Sequence, residues 1–287
     1  MTASAVAPAS RTLRIRAPRE ALTWLALLPG ILLALLAIVG PFVVPFDPEA
    51  VVGPPSSAPD ATYWFGTDSA GMDVFSRTIA AAQVDLFIGL ATTVIATTGG
   101  ILLGMFSGMG ESRRGVVGLV ARGTSRVLDL ADAVPLIVIA MVAVALFGAT
   151  PLTMIVVLAI ILAPSPARLT RAETLRVRRE AYLDAARIHG MTETRLSLRH
   201  VLLNAAAPAI ENMSVIFGLS IAVAAALGFL GVGIAPPTPE WGAMVSRGTS
   251  DLISGRWWSS VFPAAMLGAA IVSAAAAGAV VLARIRR

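Results

Sequence analysis

The stretch densest in potentially interacting side chains begins at Arg178 and reads RREAYLDAARIHGMTETRLSLRHVLLNAAAPAI. From Glu180 to His189 it holds good helix formers, Gly190 can stop that helix, and Thr192 can cap a second one running towards Pro208. Ala181, Ala185 and Ile188 fall on one stripe, small enough to let a partner surface come close, while Arg178, Arg179 and Arg187 offer anchoring charges. On composition alone a solvated basic loop is the default reading. Neither reading is catalytic, and the rest of the chain excludes most chemistry outright. All 22 basic residues are Arg, with no Lys. A phosphate-cradling G-x-x-x-x-G-K-[ST] loop needs Lys to reach the β and γ phosphates, so any ATP that drives this protein binds another chain. Cys is absent and His occurs only at positions 189 and 200, which excludes thiol chemistry, disulfides and Cys/His metal sites.

The elements that must position this stretch are apolar. Hydrophobic residues make up 56% of the chain and charged residues 14%, at a mean hydropathy of +0.81, where a soluble domain carries about 25% charged residues. The apolar residues fall in runs of about 20, the length that crosses a hydrocarbon core of about 30 Å. Runs at 21–44, 84–109, 127–148, 152–167, 207–234 and 259–283 predict six transmembrane helices. The first is too long for a signal-peptide core and reads as a retained helix. Between it and the second run lies a Pro-, Gly- and acid-rich segment from Pro45 to about Ser76.

Arg concentrates on the cytoplasmic side of membranes, and with both termini cytoplasmic only Arg77, Arg247 and Arg256 of the 22 fall outside. The pI of about 11.0 therefore reflects topology, since the Arg residues alternate with apolar runs and form no single nucleic-acid-binding face. Gly100, Gly104 and Gly108, at four-residue spacing, predict close approach of a neighbouring helix. Asp129 and Asp132 are read at the start of helix three and Glu211 at the start of helix five. An acid there gains about 0.3 to 1 kcal/mol from the helix dipole.

Several motifs resemble one family. Asp184, Ala185 and Ala186, then Gly190, then His200, Leu202 and Leu203 are similar at full spacing to the EAA loop of ABC-importer permeases, with Asp for Glu, His for Ile and Leu for Pro. FGTDSAGMDVFSR, carrying Phe65, Gly66, Thr67, Asp68, Gly71 and Asp73, resembles a segment of the C-type permeases of dipeptide, oligopeptide and nickel importers. SRVLDLADAVP at 125–135 and LGFLGVGIAPPTPEWGAM at 227–244, with Pro236, Pro237, Trp241 and Gly242, are similar to the same family. The chain departs from the family where Met72 stands for a common Arg and Ala224 for a common Glu.

The resemblance implies an all-α integral membrane protein of the type I ABC importer permease fold in the bacterial inner membrane. Its implied divisions are a cytoplasmic tail at 1–20, a first helix with an extracytoplasmic segment at 21–80, and a permease core at 81–287 with the EAA loop at about 168–205. It implies ATPase coupling through Glu180, Ala181, Asp184, Ala185, Ala186 and Gly190. It implies as partners a B-type permease, two ATPase subunits that bind ATP and Mg, an extracytoplasmic binding protein and membrane lipid. It implies no cofactor on this chain and no nucleic acid. Peptide is the expected solute, with nickel or another small solute as the alternative. A secondary transporter would need intramembrane charges or paired broken helices, and a membrane enzyme would need a catalytic constellation.

Overall fold

The computed structural model describes residues 19–111, 114–180, 183, 188 and 191–285. Among these the architecture is helical, and the one strand-like pairing is an isolated bridge between Thr67 and Asp73. The helices are α1 (Arg19–Val43), α2 (Val74–Gly110), α3 (Val116–Leu130), α4 (Leu136–Phe147), α5 (Pro151–Leu162) and α6 (Pro164–Val177). After residues 181–190 come α7 (Glu193–Leu196), a π-turn (Ser197–Val201), α8 (Leu202–Ala205), α9 (Ala207–Glu211), α10 (Met213–Phe229), α11 (Trp241–Ile253) and α12 (Trp258–Ile285).

Among the described residues, four helical stretches are long and apolar enough to cross a membrane: Trp24–Val43, Val74–Gly110, Pro151–Val177 and Trp258–Ala283. A fifth results if Arg199–Glu211 and Met213–Phe229, which meet at 45°, form one bent span. Trp24, Leu25, Ile31, Leu32, Leu35 and Ile38 on α1 are all exposed. In lipid such a face is at home, because the helix satisfies its own backbone hydrogen bonds and the solvent is hydrocarbon.

Four features differ from the sequence expectation. Helix α2 begins at Val74 rather than near 84, because Asp73 caps it: Oδ2 accepts the Ser76 N–H at 2.7 Å. The expected third span at 127–148 is interrupted by a 3₁₀ turn at Ala131–Ala133 and by Pro135. Val134, the residue before that proline, is extended at φ −105° and ψ 132°, as proline demands of its predecessor. Asp129 therefore sits near the end of α3 and Asp132 in the turn, not at a helix start. The fourth span runs on through α6 to Val177, and Glu211 ends α9 rather than starting the fifth helix.

Helix α2 is the central rod. With 37 residues at a rise of 1.5 Å each it is about 55 Å long, more than a bilayer core requires. One apolar cluster joins its Ile88 to Val144 of α4, Met154 and Leu158 of α5, and Leu227 of α10. A second joins Ala81 and Ala82 to Leu33 of α1, Ile221 of α10, Trp241 and Met244 of α11, and Ala270 of α12.

Candidate functional site

Two assemblies of polar side chains lie at opposite ends of α2. At its N-terminal end the segment 44–73 folds as a cap. Thr67, fully buried, donates from Oγ1 to the Pro54 carbonyl at 2.6 Å and accepts the Ser57 N–H at 2.8 Å. Asp68 accepts the Ala70 and Met72 N–H groups at 2.9 and 3.0 Å. Gly66 and Gly71 take φ of +71° and +80°, where a side chain is strained; a Cβ on Gly66 would also lie 2.8 Å from the Trp258 ring. Phe65 stacks on Phe262 at 3.8 Å. Trp258 Nε1 donates to the Thr67 carbonyl at 3.1 Å, and Ser56 donates to Asp251 at 2.8 Å, so α11 and α12 both hold the cap.

Arg77 fastens this cap from below. Its guanidinium, fully buried, donates from Nη1 to the carbonyls of Pro48 at 2.7 Å and Pro237 at 3.1 Å, and touches Met72 Sδ at 2.6 Å. Asp68 Oδ2 lies 3.7 Å from Arg77 Nε. Two loops far apart in sequence are thereby joined by one cation. Pro236 and Pro237 are linked by a cis peptide bond and are exposed.

Beside it, Trp241 is fully buried. Its N–H donates to Asp85 Oδ2 at 2.9 Å and its Nε1 to the Thr78 carbonyl at 2.9 Å, both on α2. Glu240 caps α11, accepting the Gly242 and Ala243 N–H groups at 2.7 and 2.8 Å. Burial pushes the Glu240 carboxyl up to about 7, although these two N–H groups and Arg247 hold it down. A Cβ on Gly242 would strike the Ala225 backbone, so only Gly lets α11 approach α10 here.

At the C-terminal end of α2, the predicted packing glycines face α6 of the same chain. A Cβ on Gly100 would meet Pro166 at 2.6 Å, one on Gly104 would meet Thr170 at 2.8 Å and the Ala167 carbonyl, and one on Gly108 would meet Thr174 at 2.9 Å. Arginines on and just after α6 reach across. Arg168 donates to the Leu128 carbonyl at 2.9 Å. Arg171 contacts Glu111 at 3.1 Å and Asp129 at 3.6 Å. Arg178 Nη1 donates to the carbonyls of Gly108 and Met109 at 3.0 and 3.2 Å.

Of the residues implied in ATPase coupling, Glu180 accepts from Arg176 at 3.0 Å; Ala181, Asp184, Ala185, Ala186 and Gly190 lie outside the described residues. Two residues within that segment are described. Leu183 is fully buried, in a cluster with Met109 of α2, Val177 of α6, and Leu196, Val201 and Ala205. Ile188 is 85% exposed.

Sequence reasoning missed Asp85, Glu240 and the anchoring role of Arg77. The available signal was an ionisable residue at the edge of an apolar run, at positions 77 and 85; the partners lie up to 160 residues away and left no local trace. Met72 stands against the Arg77 guanidinium, and Ala224 is buried in the apolar core of α2, α4, α5 and α10.

Over residues 100–287, more than half of the chain, the sequence matches the family described as binding-protein-dependent transport system inner membrane component. It is 36% identical over 240 residues to the di/tripeptide transport system permease protein DppC of Pseudomonas aeruginosa, covering 81% of this chain and 77% of that one. It is 34% identical over 242 residues to the probable D,D-dipeptide transport system permease protein DdpC of Escherichia coli K12, covering 83% and 78%. To the glutathione transport system permease protein GsiD of Pectobacterium atrosepticum it is 32% identical over 225 residues, covering 78% and 73%.

Proposed function

We propose, from the premise that this chain belongs to the family of binding-protein-dependent transport system inner membrane components, that it forms one half of the pathway by which short peptides cross the inner membrane. Membership makes it a permease subunit of an ATP-driven importer, with hydrolysis on partner subunits. The peptide assignment is supported by three relatives whose names specify di/tripeptides, D,D-dipeptides and glutathione.

In this reading the chain crosses the membrane six times with both termini cytoplasmic. Five crossings use the long helical stretches, counting the bent pair as one, and the sixth uses α3 and α4 around the break at Pro135. The Arg distribution supports the sidedness. The cap at 44–73 then faces outward, where a binding protein delivers its ligand, and residues 181–190 face the ATPase. A B-type permease supplies the other half of the pathway, and two ATPase subunits drive the pair.

One observation carries the coupling reading: within 181–190 one described side chain is buried in the body of the chain and another is bare. Leu183 anchors the segment to α2 and α6, and Ile188 presents an apolar side chain outward. A displacement imposed by the ATPase at Ile188 passes through Leu183 into Val177 and Met109, and so into α6 and α2 together. Helix α2 carries it to Thr78, Asp85 and Trp241 at the outward end. ATP can drive this change only by binding one ATPase arrangement more tightly than the other, which shifts the population of permease states.

The test is uptake by the complete importer reconstituted in proteoliposomes with its binding protein. ATP-dependent accumulation of a labelled dipeptide or tripeptide is expected. An importer that retains a different solute class on its binding protein and moves no short peptide overturns the peptide assignment.

A further inference from the structure

Helix α1 is loosely held by its own chain: of its described residues only Leu33 and Gly40 are buried. A Cβ on Gly40 would press into Ile79 Cγ2, so α1 and α2 touch there. Between the two helices lies a cleft of about 840 Å³. Its rim is exposed, with Ile31, Ile38 and Phe42 on α1 and Phe87 and Leu90 on α2. Its floor is Phe217 of α10 with Ala270, Ser273 and Ala274 of α12. Along α1 it runs from Leu27 to Phe42, about 22 Å at a rise of 1.5 Å per residue.

One residue in this apolar wall is out of place. Gln83 of α2 lines the cleft and is exposed. Its depth follows from the antiparallel run of α1 and α2. Counting along both helices from the contact of Gly40 with Ile79 puts Gln83 level with about Leu36, and Leu36 and Ala37 share an apolar cluster with Ala82 and Leu86 in that register. Leu36 lies seven residues inside the end of the Trp24–Val43 span, which is about 10 Å. Gln83 therefore belongs to the hydrocarbon layer, where an exposed amide with two N–H donors and a carbonyl acceptor is costly. Polar side chains at such depth face protein or a water-filled cavity.

The cleft does not suit water. Its walls are otherwise apolar, and the hydroxyls of Thr93 and Ser273 are returned to carbonyls of their own helices, Gly89 at 2.7 Å and Ala269 at 2.6 Å. A lipid acyl chain would fill the apolar slot but has no hydrogen-bonding group at this depth, since its ester lies at the interface. A transmembrane helix supplies both an apolar face and a polar side chain. Small residues on the walls, Gly30 and Ala34 of α1 and Ala270 and Ala274 of α12, each pair four residues apart, let its backbone come close, and Gln is a side chain that bonds across helices in lipid.

We propose that the cleft between α1 and α2 seats a transmembrane helix of the second permease subunit, which places a polar side chain against Gln83. This rests on the two-permease reading above and assigns it a contact surface.

Photo-crosslinking of the complete importer in its native membrane tests the assignment. With p-benzoylphenylalanine in place of Phe87, on the cleft rim, irradiation is expected to join this chain to a membrane-spanning segment of the second permease. In place of Leu25, exposed on α1 outside the cleft, it is expected to give no such adduct. Gln83→Leu, which suits lipid better, should reach the membrane in normal amount but retain several-fold less of the second permease on affinity purification. Adducts from position 87 with lipid alone or with a second copy of this chain, equal adducts from positions 25 and 87, or unchanged retention by Gln83→Leu overturns the proposal. Mass spectrometry of the purified wild-type importer separates the two levels. A second permease that co-purifies but is not reached from position 87 overturns the cleft assignment alone, whereas an importer without one overturns the two-permease reading and the cleft assignment together.

Discussion

Arg178 donates from Nη1 to the carbonyl of Gly108 at 3.0 Å, so a cation just beyond the end of α6 closes the last turn of α2. Carbonyls in the last turn of a helix lack intrahelical donors and carry the negative end of its dipole, which suits a guanidinium. The bond matters because residues 181–190 follow Arg178 almost at once. On the proposed coupling, force applied there would reach α2 through this contact and the Leu183 cluster.

Arg178→Ala is therefore expected to uncouple hydrolysis from transport. In the reconstituted importer the ATPase should still co-purify, while solute uptake falls several-fold and the ATP hydrolysed per solute rises. An unchanged ratio of hydrolysis to uptake would show that α2 does not receive its motion through Arg178.

Packing between α2 and α6 gives a sharper contrast between two glycines of one helix. A Cβ at Gly104 meets the Ala167 carbonyl and lies 2.8 Å from Thr170 Cβ and 3.0 Å from the Arg171 nitrogen, whereas one at Gly99 meets nothing within 4 Å. Backbone atoms cannot swing aside as side-chain ends do. Gly104→Ala should destabilise the chain by about 1–3 kcal/mol through overpacking. Gly99→Ala should be neutral or stabilising by up to about 1 kcal/mol, since Gly is the poorer residue inside a helix. Thermal unfolding in a single detergent compares them, and equal midpoints would refute the close approach.

Features legible in the sequence were those encoded locally. The long apolar runs mark the spans, and Gly100, Gly104 and Gly108 share a face because four residues make nearly one helical turn. Their contact, α6, could not be read, because helix-to-helix partnership depends on how the chain returns. The break at Pro135 had a local signal in the proline, overshadowed by the apolar residues on either side. The start of α2 at Val74 was hidden by Arg77, Thr78 and Gln83, which look unlike a span; the first two are buried against protein rather than exposed. Asp85 and Trp241 are 156 residues apart, and no periodicity in either segment announces the other.

Glu240 predicts a pH dependence with a definite sign. Its carboxyl moves from the ordinary 4.5 to about 7 on folding, chiefly through burial. The folded chain therefore holds this proton more tightly than the unfolded chain. The stabilisation is complete below about pH 4.5, is lost as pH rises towards about 7, and changes little above that. Glu240→Gln keeps an acceptor for the N-terminal N–H groups of α11 and removes the titration. Its melting temperature, compared with the wild type across this window, should lack the decline that Glu240 contributes. A wild type that gains stability relative to Glu240→Gln between those pH values contradicts the assignment.

The ATPase-coupling reading separates two apolar residues five positions apart. Leu183 is fully buried among Met109, Val177 and Leu196, and Ile188 is 85% exposed. If 181–190 were only a solvated loop, Ile188 would tolerate any polar residue. If the segment docks on an ATPase, a charge at 188 must be desolvated in the interface without a partner. Leu183→Asp is expected to lower the amount of folded chain in the membrane, because it places an unpaired charge in a closed cluster. Ile188→Asp is expected to leave the amount and melting temperature unchanged while ATPase co-purification and uptake both drop at least several-fold. Ala185→Trp, on the face expected to approach the partner, should behave like Ile188→Asp, and Arg195→Ala should do much less. The decisive measurement is ATPase retained per permease on affinity purification from membranes. Normal retention by both Ile188→Asp and Ala185→Trp would place the ATPase contact elsewhere and leave Leu183 with a purely structural role.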